Sequence, residues 1–499
     1  MNLSQIANAE GITDEEKKML CDLIEVWSAK LDRNNLRMRY YNMHNRLKDL
    51  NISIPPYLKK TEIAVGWAQK AVDTLAVRSR FDGFSFIDGE NALMDTIVRE
   101  NRLRLLYRQA KKSELIHSVA FLTVSEGAAG EPPAIINCYS ALNASALWDY
   151  RRKRIKCGMT IVDIKQNDPF TEPEPTQVNL YTDGYVLELI KSDNKWYSNR
   201  VPHNMGRPLM EPLVYNASID RPFGKSRITR AVMSLVDSAV RTSLRSEVAS
   251  EFFCAPQKYV LGADKDTFAD TSKIDAYIGY ILALTNNEDG ETPTVGQFAQ
   301  HSMEPHIAYM RSLAARFSGE TNVPISELGV IHDNPSSAEA IYAAKESLVI
   351  DATDLNEDNG DALRTIGKMA LALAQKKKLS DLDENENSIQ PHFMNPAMPS
   401  LVSQADAMVK AVSAAPWIAN TNVFLEELGF DEATRRSMMS DKKRGEASDT
   451  VAMITQALSP QTEQKSTFDS TIALDEQKEN EAKDKELSEI NAAQRSIRD

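Results

Sequence analysis

The chain has 499 residues, enough for about three domains of ordinary size. Apolar residues make up 42% and charged residues 26%, which suits a sizeable buried core and excludes a collagen-like or wholly disordered chain. Lys+Arg 58 against Asp+Glu 71 leaves a net charge of −13, which argues against a surface that grips phosphate with a dense array of cations.

No apolar h-region opens the chain, so no signal peptide is expected. Thr13-Asp14-Glu15-Glu16 has capping-box spacing. Leu20, Leu23, Ile24, Trp27 and Leu31 follow it on one helical face. A second helix is predicted over 60–77, after Pro55-Pro56 and before the Asp82-Gly83 turn. Helical pattern resumes over 91–112. From 117 to 215 the texture becomes strand-rich: SVAFLTV, AIINCYS, MTIVDIK, QVNLYT and YVLELI are separated by turn residues. This predicts an α+β domain with a mostly antiparallel sheet.

Residues 226–251 read as a helix without Gly or Pro. The stretch 253–300 is short and strand-rich (QKYVLG, YIGYILALT, TVGQFAQ), and 304–317 is helical again. A small β insert between two helices predicts a two-helix stalk with the insert at its tip. The insert's apolar run 276–285 is about half of the ~20 residues a membrane helix needs. Ser336 and Glu339 again have capping-box spacing. The helical pattern behind them runs to about 378, with Gly360 and Gly367 as expected kinks. A helix of some 40 residues would span ~60 Å. Helices return at 401–414 and 422–439. Residues 460–499 hold ten acids and six bases with few large apolar side chains, and read as a polar tail.

Catalytic and metal motifs are tempting but incomplete. Cys21, Cys138, Cys157 and Cys254 show no CxxC spacing and read as buried reduced thiols. His301 and His306 are five apart, which does not place two ligands on one helical face. Asp354, Glu357, Asp358 and Asp361 read as a solvated acidic face. Asp73, Asp149 and Asp237 have no partner identifiable from sequence. The run Arg151-Arg152-Lys153-Arg154 reads as a charged hairpin more readily than as a nucleic-acid contact. Gly224-Lys225-Ser226 lies after an extended segment and before a helix, as in a phosphate-binding loop. However, Ile219 stands where that loop needs its first glycine, and Pro222 removes a backbone donor. A helix entry with Ser226 as N-cap is the expected reading. No enzyme activity, cofactor or metal is expected.

Several segments together resemble the portal proteins of tailed bacteriophages of the siphophage lineage. They are Gly66-Trp67, Val72-Asp73, Leu75-Ala76, Arg78 and Asp82-Gly83-Phe84, then Ala144-Ser145-Ala146-Leu147-Trp148-Asp149. Arg221-Pro222-Phe223-Gly224-Lys225-Ser226 and Ala255-Pro256-Gln257 follow, and then Thr321-Asn322-Val323-Pro324. Pro335-Ser336-Ser337-Ala338-Glu339-Ala340, Gln404-Ala405-Asp406-Ala407-Met408-Val409-Lys410 and Glu427-Leu428-Gly429-Phe430 complete the series. Their order and spacing cover roughly residues 30 to 445. The alternatives are a nucleotide-dependent enzyme built on Gly224-Lys225-Ser226, and a capsid or adaptor subunit.

The resemblance implies a dodecameric ring at one capsid vertex of the virion, made in the host cytoplasm. Double-stranded DNA would pass through it without sequence specificity. Implied partners are the large terminase subunit, a head-completion adaptor, and the major capsid and scaffolding proteins, with no membrane. The implied parts are a wing (1–225), first stem helix (226–251), clip (252–303), second stem helix (304–318), tunnel loop and long helix (319–380), crown (381–457) and acidic tail (458–499). Channel positions would be Arg230, Arg241, Arg245, His332, Asp333 and Asn334. Asp289 and Glu291 in the polar loop NNEDGE would serve docking.

Within the first stem segment, Ile228, Val232, Leu235, Val236, Ala239, Val240 and Leu244 cover a broad arc, part of which is expected to face a neighbouring subunit.

Overall fold

A computed structural model describes residues 3, 5–45, 63–87, 89, 91–166, 173–193, 195–254, 258–261, 292, 294–297, 302–329, 343–397, 401–430, 434–435 and 437–445. The chain divides into two units, Met1–Met398 and Pro399–Asp499.

α1 (Asp14–Tyr41) begins at the expected capping box. Thr13 Oγ1 accepts from Glu16 N at 3.3 Å, and Glu16 Oε2 accepts from Thr13 N at 2.7 Å. Glu16 also receives Arg200 through Nε and Nη2 at 2.9 and 2.6 Å. Burial alone would raise its carboxyl, but the Arg200 and Thr13 hydrogen bonds hold it down at about 2. Leu20, Leu23 and Trp27 are buried as the pattern predicts. They pack on a five-stranded antiparallel meander, β4 (Ala144–Asp149), β5 (Arg154–Lys165), β6 (Glu174–Tyr181), β7 (Tyr185–Ser192) and β8 (Lys195–Pro202), together with Met159, Val178, Leu180, Leu187 and Trp196. The basic run is the β4–β5 hairpin turn. Asp149 Oδ1 accepts from Arg151 N and Arg152 N at 2.9 and 3.1 Å, so Asp149 has a local backbone partner after all.

α2 (Trp67–Arg78) leads into β1 (Phe81–Ser85). The single helical run expected over 91–112 is two helices, α3 (Ala92–Glu100) and α4 (Leu103–His117). Arg102 breaks them in the left-handed region at φ 50°. The adjacent Asn101 side chain donates to Ile97 O and Ala134 O and accepts from Ile136 N, so a tertiary tie to β3 decides the break. β2 (Val119–Glu126) is the centre of a three-stranded antiparallel sheet, flanked by β3 (Ala134–Ser140) and β9 (Met210–Val214).

α5 (Arg230–Cys254) and α6 (Glu304–Thr321) pack against each other. Between them in sequence, β10 (Lys258–Leu261) and β11 (Thr294–Gln297) form an antiparallel ladder. The helix–insert–helix pattern is therefore present. The apolar run 276–285 lies outside the described residues. No described helix is long and apolar enough to cross a membrane.

The long helix is shorter than expected. α7 runs from Glu346 to Ala374, 29 residues or ~44 Å, because Ala344 and Lys345 form a turn. It runs unbroken through both glycines. A Cβ on Gly367 would lie 2.7 Å from Ile389 Cδ1, and one on Gly360 would lie 3.5 Å from Pro391 Cγ. These glycines let β12 (Gln390–Phe393), which pairs with β1, approach the helix. The length of α7 also has an internal cause. Leu348, Ala352 and Leu355 sit in the core shared with α2, α5 and α6, whereas Leu363, Ile366, Met369 and Leu373 sit in the core beneath the three-stranded sheet. One helix bridging two cores of a single chain needs this span without any ring.

A four-residue helix α8 (Glu384–Asn387) precedes β12, so the chain up to residue 397 stays with the first unit. The second unit contains α9 (Leu401–Ala414), as expected, and α10 (Asn422–Glu427). The helix predicted over 422–439 is interrupted at Gly429, φ 88°. Among the described residues of this unit no apolar side chain is buried, and Val409, Trp417 and Val423 are exposed. The polar tail lies outside the described residues.

Candidate channel and docking elements

The broad apolar arc of the first stem segment is satisfied inside one chain. Ile228, Val232, Leu235, Val236, Ala239, Val240 and Leu244 are all at most 8% exposed. All but Leu244 share a core with Trp67, Val72 and Leu75 of α2, Leu313 and Phe317 of α6, and Leu348 of α7. The Trp67 and Phe317 rings stand 5.3 Å apart. Several elements surround α5, so the width of its arc does not call for a neighbouring subunit, contrary to expectation. Of the two stem helices, α6 is the one that leaves large apolar side chains exposed among the described residues. Leu313, Ala314, Phe317 and Thr321 are buried, while Ile307 and Tyr309, a turn or more earlier, are 44% and 49% exposed.

Arg230, Arg241 and Arg245 are separated by 11 and 4 residues, and at 3.6 residues per turn they share one stripe of α5. Arg230 and Arg245 are exposed. Arg241 is half-buried and donates from Nη2 to Ser238 Oγ at 3.1 Å. One turn away, Asp237 accepts from Tyr40 Oη at 3.0 and 2.9 Å and from Asn45 Nδ2 at 3.1 Å. Burial and this carboxylate raise the Tyr40 hydroxyl well above its ordinary value. Asp73 is similarly held, by Tyr41 Oη at 3.0 Å and Lys112 Nζ at 2.9 Å. These partners are 32 to 197 residues away in the chain, so sequence spacing carried no sign of them.

His332, Asp333, Asn334, Asp289 and Glu291 lie outside the described residues, as does the capping box at Ser336 and Glu339. Asp354, Glu357, Asp358 and Asp361 are exposed on α7, which fits a solvated acidic face. Partial burial and crowding by the other three acids raise the Asp358 carboxyl. Among the described residues no cluster of His, Cys, Asp and Glu is arranged to hold a metal. Cys157 is buried as expected, which pushes its thiol up to about 11, whereas Cys21 is exposed, contrary to expectation.

Gly224-Lys225-Ser226 is neither a phosphate cradle nor the start of α5. Gly224 N donates to Arg221 O (2.9 Å), Lys225 N to Tyr215 O (3.0 Å), Arg227 N to Leu115 O (2.9 Å) and Ile228 N to Ser226 Oγ (3.0 Å). A phosphate would need such N–H groups free. Ser226 is buried, with Oγ donating to Ile116 O at 2.6 Å. The helix begins four residues later than predicted, and Thr229 Oγ1 accepts from Val232 N at 3.2 Å as its cap. The motif is a splice that ties the end of β9 to the end of α4. Arg227, the next residue, was not singled out by sequence reasoning, yet its guanidinium meets four partners, Ala71, Tyr215, Thr321 and Asp351.

Residues 21–423 match the family model described as "Phage portal protein, SPP1 Gp6-like". The portal protein of Mycobacterium phage L5 is 23% identical over 414 residues, covering 80% of this chain and 82% of that protein. The portal protein of Mycobacterium phage D29 is 24% identical over 436 residues, covering 83% and 86%. Among solved structures, the virion of a native gene transfer agent particle contains a similar chain. It has 12% identity, TM-score 0.43, and coverage of 77% of this chain and 89% of that one. The neck of the empty particle, computed with C6 symmetry, contains another at 13% identity and TM-score 0.42, with coverage of 82% and 93%.

Proposed function

The chain belongs to the SPP1 Gp6-like family of phage portal proteins, and we propose that it works as a ring of twelve copies around a DNA channel at one capsid vertex. The observation that carries this reading is the family match over residues 21–423, joined to the packed α5–α6 pair with its β10–β11 ladder. In this assignment α5 and α6 are the stem, the 252–303 insert is the clip, residues 1–225 are the wing and 319–380 hold the tunnel loop and helix. The crown is residues 381–457, of which the part up to 397 folds with the first unit. The exposed Ile307 and Tyr309 on α6 are then covered by a neighbouring copy. Twelve subunits of 55.7 kDa total about 670 kDa. Light scattering of the purified protein should give that mass, and negative-stain images should show a central hole. A mass of about 56 kDa at every concentration and salt tried would remove the ring.

The clip is the docking surface for terminase and later for the adaptor, with Asp289 and Glu291 as the proposed contact residues. Changing both to lysine should leave rings intact and weaken terminase binding by about tenfold or more. Unchanged affinity would move the contact elsewhere.

Capsid and scaffolding proteins would contact the outside of the ring. The channel would be lined by Arg230, Arg241 and Arg245 on α5 and by His332, Asp333 and Asn334, which follow α6 in sequence. The stretch 329–334 (GVIHDN) contains no Lys or Arg. A ring of Asp333 carboxylates would repel phosphate and let DNA slide, since tight holding needs cations that displace counterions. Asp333→Lys should assemble normally and package DNA poorly, with the defect easing as salt rises. Wild-type packaging by these rings at low salt would place the loop away from DNA.

A further inference from the structure

Arg227 lies where four elements meet. Its Nε donates to Ala71 O of α2 at 2.5 Å, and Nη1 donates to Tyr215 Oη at 2.7 Å, just beyond β9. Nη2 donates to Thr321 O, the last residue of α6. Nη1 also meets Asp351 Oδ2 in the second turn of α7 at 3.2 Å. The Tyr215 ring centroid is 5.9 Å from the guanidinium. The Arg227 side chain is 4% exposed and that of Asp351 is 25% exposed.

The end of α6 gives this contact a second strand. The last carbonyls of a helix lack intrahelical partners and carry partial negative charge, so a buried cation at Thr321 O both caps and neutralises the helix end. The next residue, Asn322, turns left-handed at φ 55°. Its Nδ2 reaches both Asp351 oxygens at 3.2 Å. The chain thus leaves at Asn322 and returns at Asp351 to the same carboxylate. Closing a loop of this size on itself costs entropy that contacts at its base must offset.

We propose that Arg227 is the positioning residue that clamps the end of α6 to the first turns of α7, with Asp351 and Asn322 as its partners. A planar, permanently charged guanidinium suits this role because its separate N–H groups reach different helices at fixed angles. The clamp stands apart from the ring reading, because it is measured in whatever assembly the purified chain forms.

Hydrogen exchange of the full-length protein tests it. Asp351→Asn keeps the side-chain shape and removes the charge. Amides in 319–323 and in 346–352 should then exchange about tenfold faster or more, the loss expected for a charged hydrogen bond. Amides in 362–371 and in the five-stranded sheet should keep wild-type rates, which a general loss of stability would not allow. Asn322→Gly keeps the left-handed backbone, removes only the amide donor, and should produce a smaller rise in the same two segments. Adding Arg227→Lys to Asp351→Asn should raise exchange there by much less than the sum of the two single effects. Unchanged rates in either segment with Asp351→Asn, or a rise spread evenly over the chain, would overturn the clamp.

Discussion

Gly224→Ala should destabilise the chain by about 4 kcal/mol, combining left-handed strain with a backbone collision. Gly224 has φ 65°, where a Cβ is strained whatever the space. There is also no space: the Cβ would lie 2.1 Å from Tyr215 O and 2.8 Å from Val214 Cγ1. Tyr215 O cannot retreat freely, because it accepts from Lys225 N at 3.0 Å. Relief would pull β9 away from the Ser226 and Arg227 ties to α4, at the boundary of two cores. Lys225→Ala is the control. That side chain is exposed, so stability should stay within about 0.5 kcal/mol and any trace of ATP hydrolysis should not change. Denaturant unfolding compares the three proteins. A Gly224→Ala cost under about 1 kcal/mol would mean that the close approach is not maintained. Loss of turnover in Lys225→Ala would revive a nucleotide site.

Glu114→Gln should stabilise the protein at neutral pH by about 3 kcal/mol, with the gain fading toward pH 4.5. Glu114 of α4 is fully buried. Its Oε2 accepts from Asn359 Nδ2 of α7 at 2.9 Å, while Oε1 and Asn359 Oδ1 have no partner. Burial first, and then the nearby Asp358 charge, push the carboxyl up to about 8, although the Asn359 bond and Lys111 oppose the rise. The folded protein therefore holds a proton that the unfolded chain releases near pH 4.5. Below that pH both states are protonated and the group costs nothing. As pH climbs toward 8, each unit favours unfolding by about 1.4 kcal/mol, and above 8 the loss levels off. Glutamine has the shape of the protonated acid and carries no such linkage. Unfolding at pH 5 and pH 8 should show the two proteins diverging as pH rises. A gap that is constant with pH would mean that Glu114 is ionised in the fold.

Local patterns carried much of the architecture. The Thr13–Glu16 capping box, the α1 face, five of the sheet strands, the α5–insert–α6 order and α9 could be read directly, because each depends on residues a few positions apart. Strands β4 and β8 were not predicted as strands. ASALWD and KWYSNRVP lack a clean apolar alternation, and their pairing with β5 and β7 supplies what propensity does not. The family was also legible from the order and spacing of short segments, and the family model matches residues 21–423.

The failures came where contacts between distant residues override local preference. Asn101 reaching β3 splits one expected helix into α3 and α4. Gly360 and Gly367 look like breaks, yet they are where β12 presses on an unbroken α7. The apolar arc of α5 suggested a neighbouring subunit, but α2, α6 and α7 of the same chain cover it. Gly224-Lys225-Ser226 had the order of a phosphate loop, and only tertiary hydrogen bonds to Leu115, Ile116 and Tyr215 reveal a splice. Periodicity shows which side of an element must be buried. What buries it, and which buried charge meets which partner, depends on chain segments far apart in sequence, as Arg227 and Asp351 do across 124 residues.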